Sequence, residues 1–462
     1  MVRKIGRRVC SGLRLESHPT HSELHTGYRA VGRRAGGQPG NKTAQKVGSA
    51  QSSSGLSNMQ QAEVLNPRVA NQACEDNTNF TLVLGGPLYQ LYLRTKLARP
   101  TLELVPRRVA SIALICWLPL LVLSLLNGSA LGGVAVPFLL DLGVYTRFLG
   151  ALPLMVAAEL IVYQRLSPIV QQFLDRGIVL PQDRARFSDL VASAKRLQSS
   201  ALAEGILFVA AITIGHWVWK ENMMSDAPTW FASSIGRGQH LTLAGCWYAF
   251  VSLPILRFIL LRWYFRLFVW YRFLWQVRAL PLHFHLFHPD RAGGIGFLSG
   301  SVSAFAPVLV AQTILLTGII GDRIWHAGAT LPTFKMEIAE AVAFLMLLVL
   351  IPLTFFLFGL EEAGRKAQRE YGILASRYVE DFRCKWIQGQ GTEGDRLLGT
   401  SDIQSLADLG NAYSVVSDMR LVPISKSEII RLAVSLIFPI LPLTLTMVPL
   451  DKIVDRLIKL VF

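Results

Sequence analysis

Four side chains able to ligate a metal fall between positions 283 and 290, where His283, His285, His288 and Asp290 form an H-x-H-x-x-H-x-D pattern. Imidazole and carboxylate suit zinc, iron or manganese. A divalent metal is therefore one expectation here, and a membrane-embedded metal-dependent or lipid-headgroup enzyme is the activity it would serve. The plainer expectation is an interfacial His-Phe-His anchor followed by a His-Pro-Asp turn that Asp290 caps. Gly293-Gly-Ile-Gly296 comes next, with amides that could hold a phosphate. No strand of a βαβ unit precedes it and an apolar run follows, which favours a tight turn or close helix packing.

A second group is set by burial in lipid rather than by spacing. Charge inside hydrocarbon is costly unless paired or wet, so Glu159, Glu204, Arg257, His216, Glu337 and Glu340, all within or beside apolar runs, stand out. Glu159, Glu204 and Arg257 fall at similar depth, as an intramembrane polar cluster of a transporter or channel-like protein; the plainer reading is a buried Glu–Arg pair that fixes helix packing. Glu337 and Glu340, one turn apart at a span end, are expected at the water boundary. A third group is basic and aromatic. Arg257, Arg262, Arg266, Arg272 and Arg278 project at about 0°, 140°, 180°, 60° and 300° around a helix, which is no voltage-sensor stripe. Arg262, Arg266, Arg272 and Arg278 with Trp263 and Trp270 are expected to contact lipid headgroups, which makes membrane lipids, anionic ones above all, the expected partner.

The elements that must position these residues are apolar helices. Seven runs are long enough to cross a bilayer: 109–126, 144–164, 201–219, 241–261, 297–320, 337–360 and 430–450. The apolar and aromatic character from Leu241 to Leu282 would make a helix of roughly 60 Å, about twice the hydrocarbon thickness, so a span ending near Leu261 and an in-plane helix beyond it are expected. In the last run Pro439, Pro442 and Pro449 leave a re-entrant hairpin as the alternative to a full crossing. The fold class is all-α, an integral membrane bundle of about seven transmembrane helices with interfacial amphipathic helices.

Composition agrees. Of 462 residues 52% are hydrophobic and only 17% charged, with positive mean hydropathy, too few charges for a soluble protein of this size. The net charge of +15 does not imply nucleic acid, because residues 1–58 hold ten Lys/Arg against two acids and the rest lies in loops. Residues 1–80 form an expected disordered basic arm, either transit-like or upstream of a start at Met59. Residues 81–360 carry six spans, 361–429 a helical insert, and 430–462 the last span and an amphipathic tail. Loops 127–147, 220–241 and 321–336 carry five Lys/Arg, while 164–200, 262–296 and 360–429 carry twenty, which places the second set and the N-terminus in the cytoplasm. Ser401 with Gln404 has the capping-box pattern. The five cysteines, at 10, 74, 116, 246 and 384, form neither a disulfide frame nor a zinc ribbon.

His288-Pro-Asp-Arg-Ala-Gly-Gly-Ile-Gly-Phe-Leu298, Gly399-Thr-Ser-Asp-Ile-Gln-Ser-Leu-Ala-Asp-Leu409 and the Pro-rich end resemble a set of bacterial polytopic inner-membrane proteins with no established activity, over roughly residues 80–462. The resemblance implies architecture and a bacterial inner membrane, and assigns no catalytic residue. A transporter or channel-like protein is the leading functional expectation, with the enzyme above and a non-catalytic scaffold or sensor, docking partners on 361–429, as alternatives. No cofactor is otherwise implied, and an oligomer is compatible with the sequence.

Overall fold

The computed structural model describes residues 80–447 apart from 84, 96–103, 223–228, 236–237, 390–396 and 398–399, with backbone alone for 215–222, 233–235 and 238–239. Residues 1–79 of the expected arm and the amphipathic tail, 451–462, lie outside the described residues, while Phe80 is buried against Trp270 and Phe273. Helices dominate in the order α1 Pro87–Arg94, α2 Val105–Leu126, α3 Leu142–Asp175, α4 Arg184–Gln198, α5 Ala201–Asn222, α6 Leu243–Val277, α7 Gly296–Ala327, α8 Lys335–Leu350, α9 Leu357–Phe382, α10 Asp402–Ser417 and α11 Lys426–Ile437. A small antiparallel hairpin, β1 Ala232–Ile235 with β2 Gly238–Leu241, precedes α6 with Ala232 opposite Leu241. Among the described residues six helical runs are long and apolar enough to cross a membrane, and α4 with the start of α5, bent by 41°, would make a seventh. The fold is therefore an all-α bundle, the solution lipid imposes on a chain with this many apolar runs.

Helices α3, α6 and α7 supply most of the core, from Phe148, Met155 and Phe173 on α3 through Trp263, Trp270 and Phe273 on α6 to Phe305 and Val308 on α7. Both α3 and α6 contain a π-helical turn just before a proline: Thr146–Ala151 precedes Pro153, and Tyr248–Ser252 precedes Pro254. A proline removes a donor from the ladder and its ring crowds the preceding turn, so the widened turn absorbs the mismatch without breaking the helix. Helices α3 and α7 meet closely at small residues. A Cβ on Gly318 would lie 3.3 Å from the Gly143 Cα and would overlap the Thr146 hydroxyl.

The aromatic stretch departs from expectation. It does not turn into the membrane plane near Leu261; α6 is one unbroken run of 35 residues, Leu243–Val277, roughly 50 Å long. The reason is that Trp263 and Trp270 are 1% exposed and sit in the protein core, so the aromatics expected at the headgroups hold the helix against its neighbours instead.

The sixth span runs on as a helix, as the charged stretch that begins at Glu361 leads one to expect. Residues 331–387 form 57 residues of continuous helical path, with a 3-10 segment at Ile351–Phe356 that contains Pro352. Beyond it α10 packs back on α9, tied by Asp402, which accepts from Lys385 Nζ at 2.8 Å and Trp386 Nε1 at 2.9 Å. These two donors hold the Asp402 carboxyl below the usual carboxylate range. The box expected at Ser401 is not formed, because Gln404 bonds Asp408 at 2.9 Å and Ser401 caps nothing. The capping box lies instead at Ser425 and Glu428, opening α11. Past Ile437 the chain tightens into a 3-10 segment, Phe438–Met447, where Pro439 and Pro442 withhold donors.

Candidate functional site

Among the described residues buried charge gathers in two groups, with Asp183 buried apart from both beside Arg186. The first is a layer between α2, α3, α5 and α6. Glu159 on α3 receives three guanidinium groups: Arg266 Nη2 at 2.7 Å, Arg108 Nη2 at 3.0 Å and Arg262 Nη1 at 3.3 Å. Arg262 also reaches Glu204 on α5, Nε to Oε1 at 3.1 Å, so one arginine bridges both carboxylates. All five side chains are buried. Glu204 Oε2 accepts from the Leu88 backbone N–H at 2.9 Å, which draws the first turn of α1 over the layer. Gly86 is required there: its φ of +86° and a would-be Cβ 2.6 Å from Glu204 Oε1 leave no room for a side chain.

Three guanidinium groups face two carboxylates, leaving one positive charge in excess. Aromatic faces meet it, with Arg266 4.6 Å from the Trp263 ring centroid and Arg108 5.1 Å from that of Tyr92. Burial pushes the Tyr92 hydroxyl up to about 12, so that ring stays neutral. Among the described residues Arg108 Nε, Arg262 Nη2 and Arg266 Nε find no hydrogen-bond acceptor.

The second place is a cavity of about 710 Å³ between α3, α6 and α7, lined by Asp141, Arg147, Tyr248, Arg257, Asp322 and His326 among others. Arg147 Nη1 donates to the Tyr248 hydroxyl at 2.7 Å. Asp141 caps the start of α3 through the Val144 N–H at 3.0 Å and accepts from Trp230 Nε1 at 2.8 Å. Asp322 accepts from the Gly143 N–H at 3.0 Å. Arg257 points to this cavity half-buried, and no described residue gives it an ion-pair or hydrogen-bond partner.

The structure thus joins Glu159 to Glu204 through Arg262 and puts Arg257 elsewhere, one and a half turns along α6 in that cavity. Arg262 and Arg266, expected at headgroups, are 4% and 1% exposed and neutralise carboxylates inside the bundle. Arg272 donates to Ser193 Oγ at 3.2 Å, and Arg278 stacks 3.5 Å from the Trp275 ring centroid. His216 has no described side chain. Glu337 is exposed and faces Arg323 at 3.6 Å, and Glu340 is also exposed.

Among the described residues no group of three or more His, Cys, Asp or Glu converges on a point where a metal could sit. His285 Nε2 bonds the Arg176 carbonyl at 2.7 Å, and the His283 N–H donates to the Ile178 carbonyl at 2.8 Å. Asp290 accepts three backbone N–H groups, from Ala292 and Gly296 at 2.9 Å and Gly294 at 3.2 Å, and lies 3.1 Å from His288 Nδ1. The glycine-rich amides are therefore filled by the chain's own carboxylate. Positive φ at Arg291, Gly293 and Gly294 turns those amides inward. Burial raises the Asp290 pKa, but the amides and His288 outweigh it and hold the carboxyl below its usual range.

Sequence reasoning passed over Arg108, Arg147, Asp141 and Asp322. Each lies at the end of an assigned span, where a charge reads as a solvated loop residue. The i, i+4 spacing of Arg262 and Arg266, only 40° apart in projection, was the available sign that both face one side. Comparison of the chain with protein-family models, curated proteins and solved structures finds no match to any of them.

Proposed function

We propose that this multi-pass membrane protein is a transporter whose solute is a small organic anion, a carboxylate or phosphate ester, bound in the Arg257 cavity. The observation that carries this reading is Arg257 itself, a guanidinium on a spanning helix that lines a cavity of about 710 Å³ with no described partner. An intramembrane charge left unpaired is retained for a ligand more readily than for packing. Arg147, in the same cavity, is already committed to Tyr248 and lies beside Asp141 and Asp322, so it shapes the site while Arg257 supplies the attraction. The next cation along α6 is Arg262, which Glu159 and Glu204 already neutralise in a closed layer, so it does not compete with Arg257 for the solute. The clustering of basic residues in loops 164–200, 262–296 and 360–429 supports an orientation in which the cavity faces away from the cytoplasm. The bacterial inner-membrane reading rests on the sequence resemblance.

Uptake by proteoliposomes of a panel of radiolabelled carboxylates and phosphate esters tests the proposal. We expect at least one to accumulate above protein-free vesicles. Arg257→Gln lowers its uptake by about tenfold or more, the loss of one charged hydrogen bond, while Glu340→Gln, at an exposed residue that does not line the cavity, leaves it unchanged. Uptake of no panel member, or uptake indifferent to Arg257→Gln, sinks the reading.

A further inference from the structure

A second cavity, of about 440 Å³, is a groove between α3, α7 and α11 on the outer surface of the bundle, at the end that carries the basic loops. One part of its wall is apolar, with Leu154, Ile161 and Val310 among its residues; the rest is polar, with Arg165, Arg431, Glu428, Ser299, Ser303 and Ser435. We propose that the groove binds one anionic glycerophospholipid, with the phosphodiester between Arg165 and Arg431 and an acyl chain along the apolar wall.

Three features of the polar part favour this occupant. Among the described residues Arg165 is anchored by one nitrogen, Nη1 to the Ser303 carbonyl at 3.0 Å, and none pairs with the Arg431 guanidinium. Glu428 is engaged in its own helix cap, accepting from the Ser425 N–H at 3.3 Å. Two guanidinium groups against one carboxylate leave one positive charge, which a lipid with one net negative charge neutralises. The three serines each give their hydroxyl proton to a helix carbonyl, Ser299 to Gly296 at 2.8 Å, Ser303 to Gly300 at 2.9 Å and Ser435 to Arg431 at 2.8 Å. Their oxygens remain as acceptors, which suits a headgroup bearing hydroxyls better than one bearing methyl groups. The site is independent of the Arg257 cavity, which lies toward the other end of α3 and α7 and is lined by none of these residues.

The test is native mass spectrometry of the full-length protein in detergent, titrated separately with dioleoylphosphatidylglycerol, dioleoylphosphatidylcholine and dioleoylglycerol. We expect the first phosphatidylglycerol adduct at a concentration at least tenfold below that of the other two, and loss of that preference in Arg165→Gln/Arg431→Gln. Ala306→Trp, which fills the apolar wall and leaves every charge in place, removes the adduct as well and decides the matter where the double variant fails to fold. Equal binding of all three lipids by the wild type overturns the proposal. So does an unaltered phosphatidylglycerol preference in folded variants.

Discussion

Glu159 is the buried carboxylate on which Arg108, Arg262 and Arg266 all depend for neutralisation, which makes its loss costly. Three buried guanidinium groups converge on it, and removing one side of a buried ion pair leaves uncompensated charge at a cost of about 3–5 kcal/mol. Glu159→Gln is thus expected to lower the apparent melting temperature in detergent sharply, whereas Arg257→Gln, which breaks no pair among the described residues, leaves it nearly unchanged; thermal scans of the two variants side by side check both. Asp290 makes a different demand, because its partners are backbone amides. Asp290→Ala strands three of them and costs the loop about 1–3 kcal/mol. Its folded pKa lies below the unfolded value, so its contribution is full above an unfolded carboxylate pKa of about 3.9 and is lost as pH falls through the lower folded value. Hydrogen-exchange protection at Gly294 and Gly296, corrected for intrinsic rate, should be flat from about pH 7 to 5 and decline below about pH 4. In Asp290→Ala it should be low throughout. The chemical identity of these residues was legible in the sequence, and their partners were not. Asp290 reads equally as ligand or cap until the φ values of the following glycines bring the amides round to it.

At the level of elements, helix length was the most legible quantity and helix direction the least. Apolar runs marked the spans because lipid tolerates nothing else, yet α6 continues unbroken past Leu261 as a helix longer than the bilayer is thick. The Trp-rich half of α6 looked interfacial because tryptophan suits both a headgroup layer and a protein core. Which of the two holds depends on neighbours that no local pattern encodes. The contact of α3 with α7 is the sharpest constraint between elements. Gly318→Leu pushes into Thr146 and the Gly143 backbone, and overpacking of this kind costs about 1–3 kcal/mol or more. Gly372→Leu on α9, with open space around the site, should be silent, and thermal scans with size-exclusion profiles of the two variants make the comparison.

For the molecule as a whole, two polar zones stand in series along α6. Arg257 faces a cavity and is unpaired among the described residues; Arg262 and Arg266 lie deeper in a closed layer of ion pairs. The number of spans was legible because each must satisfy its own backbone in lipid. The separation of Arg257 from Glu159 and Glu204 was not, because depth alone cannot say which helix faces meet. On the transport reading, Arg257 is the open cation of this array. Arginine-selective labelling with phenylglyoxal in proteoliposomes, read residue by residue by mass spectrometry, tests it most directly. We expect Arg257 to be modified and to be protected by the anions that the vesicles accumulate, with Arg108, Arg262 and Arg266 unmodified. An unreactive Arg257 in vesicles that still take up anions would contradict the account, as would a reactive Arg257 that no transported anion protects.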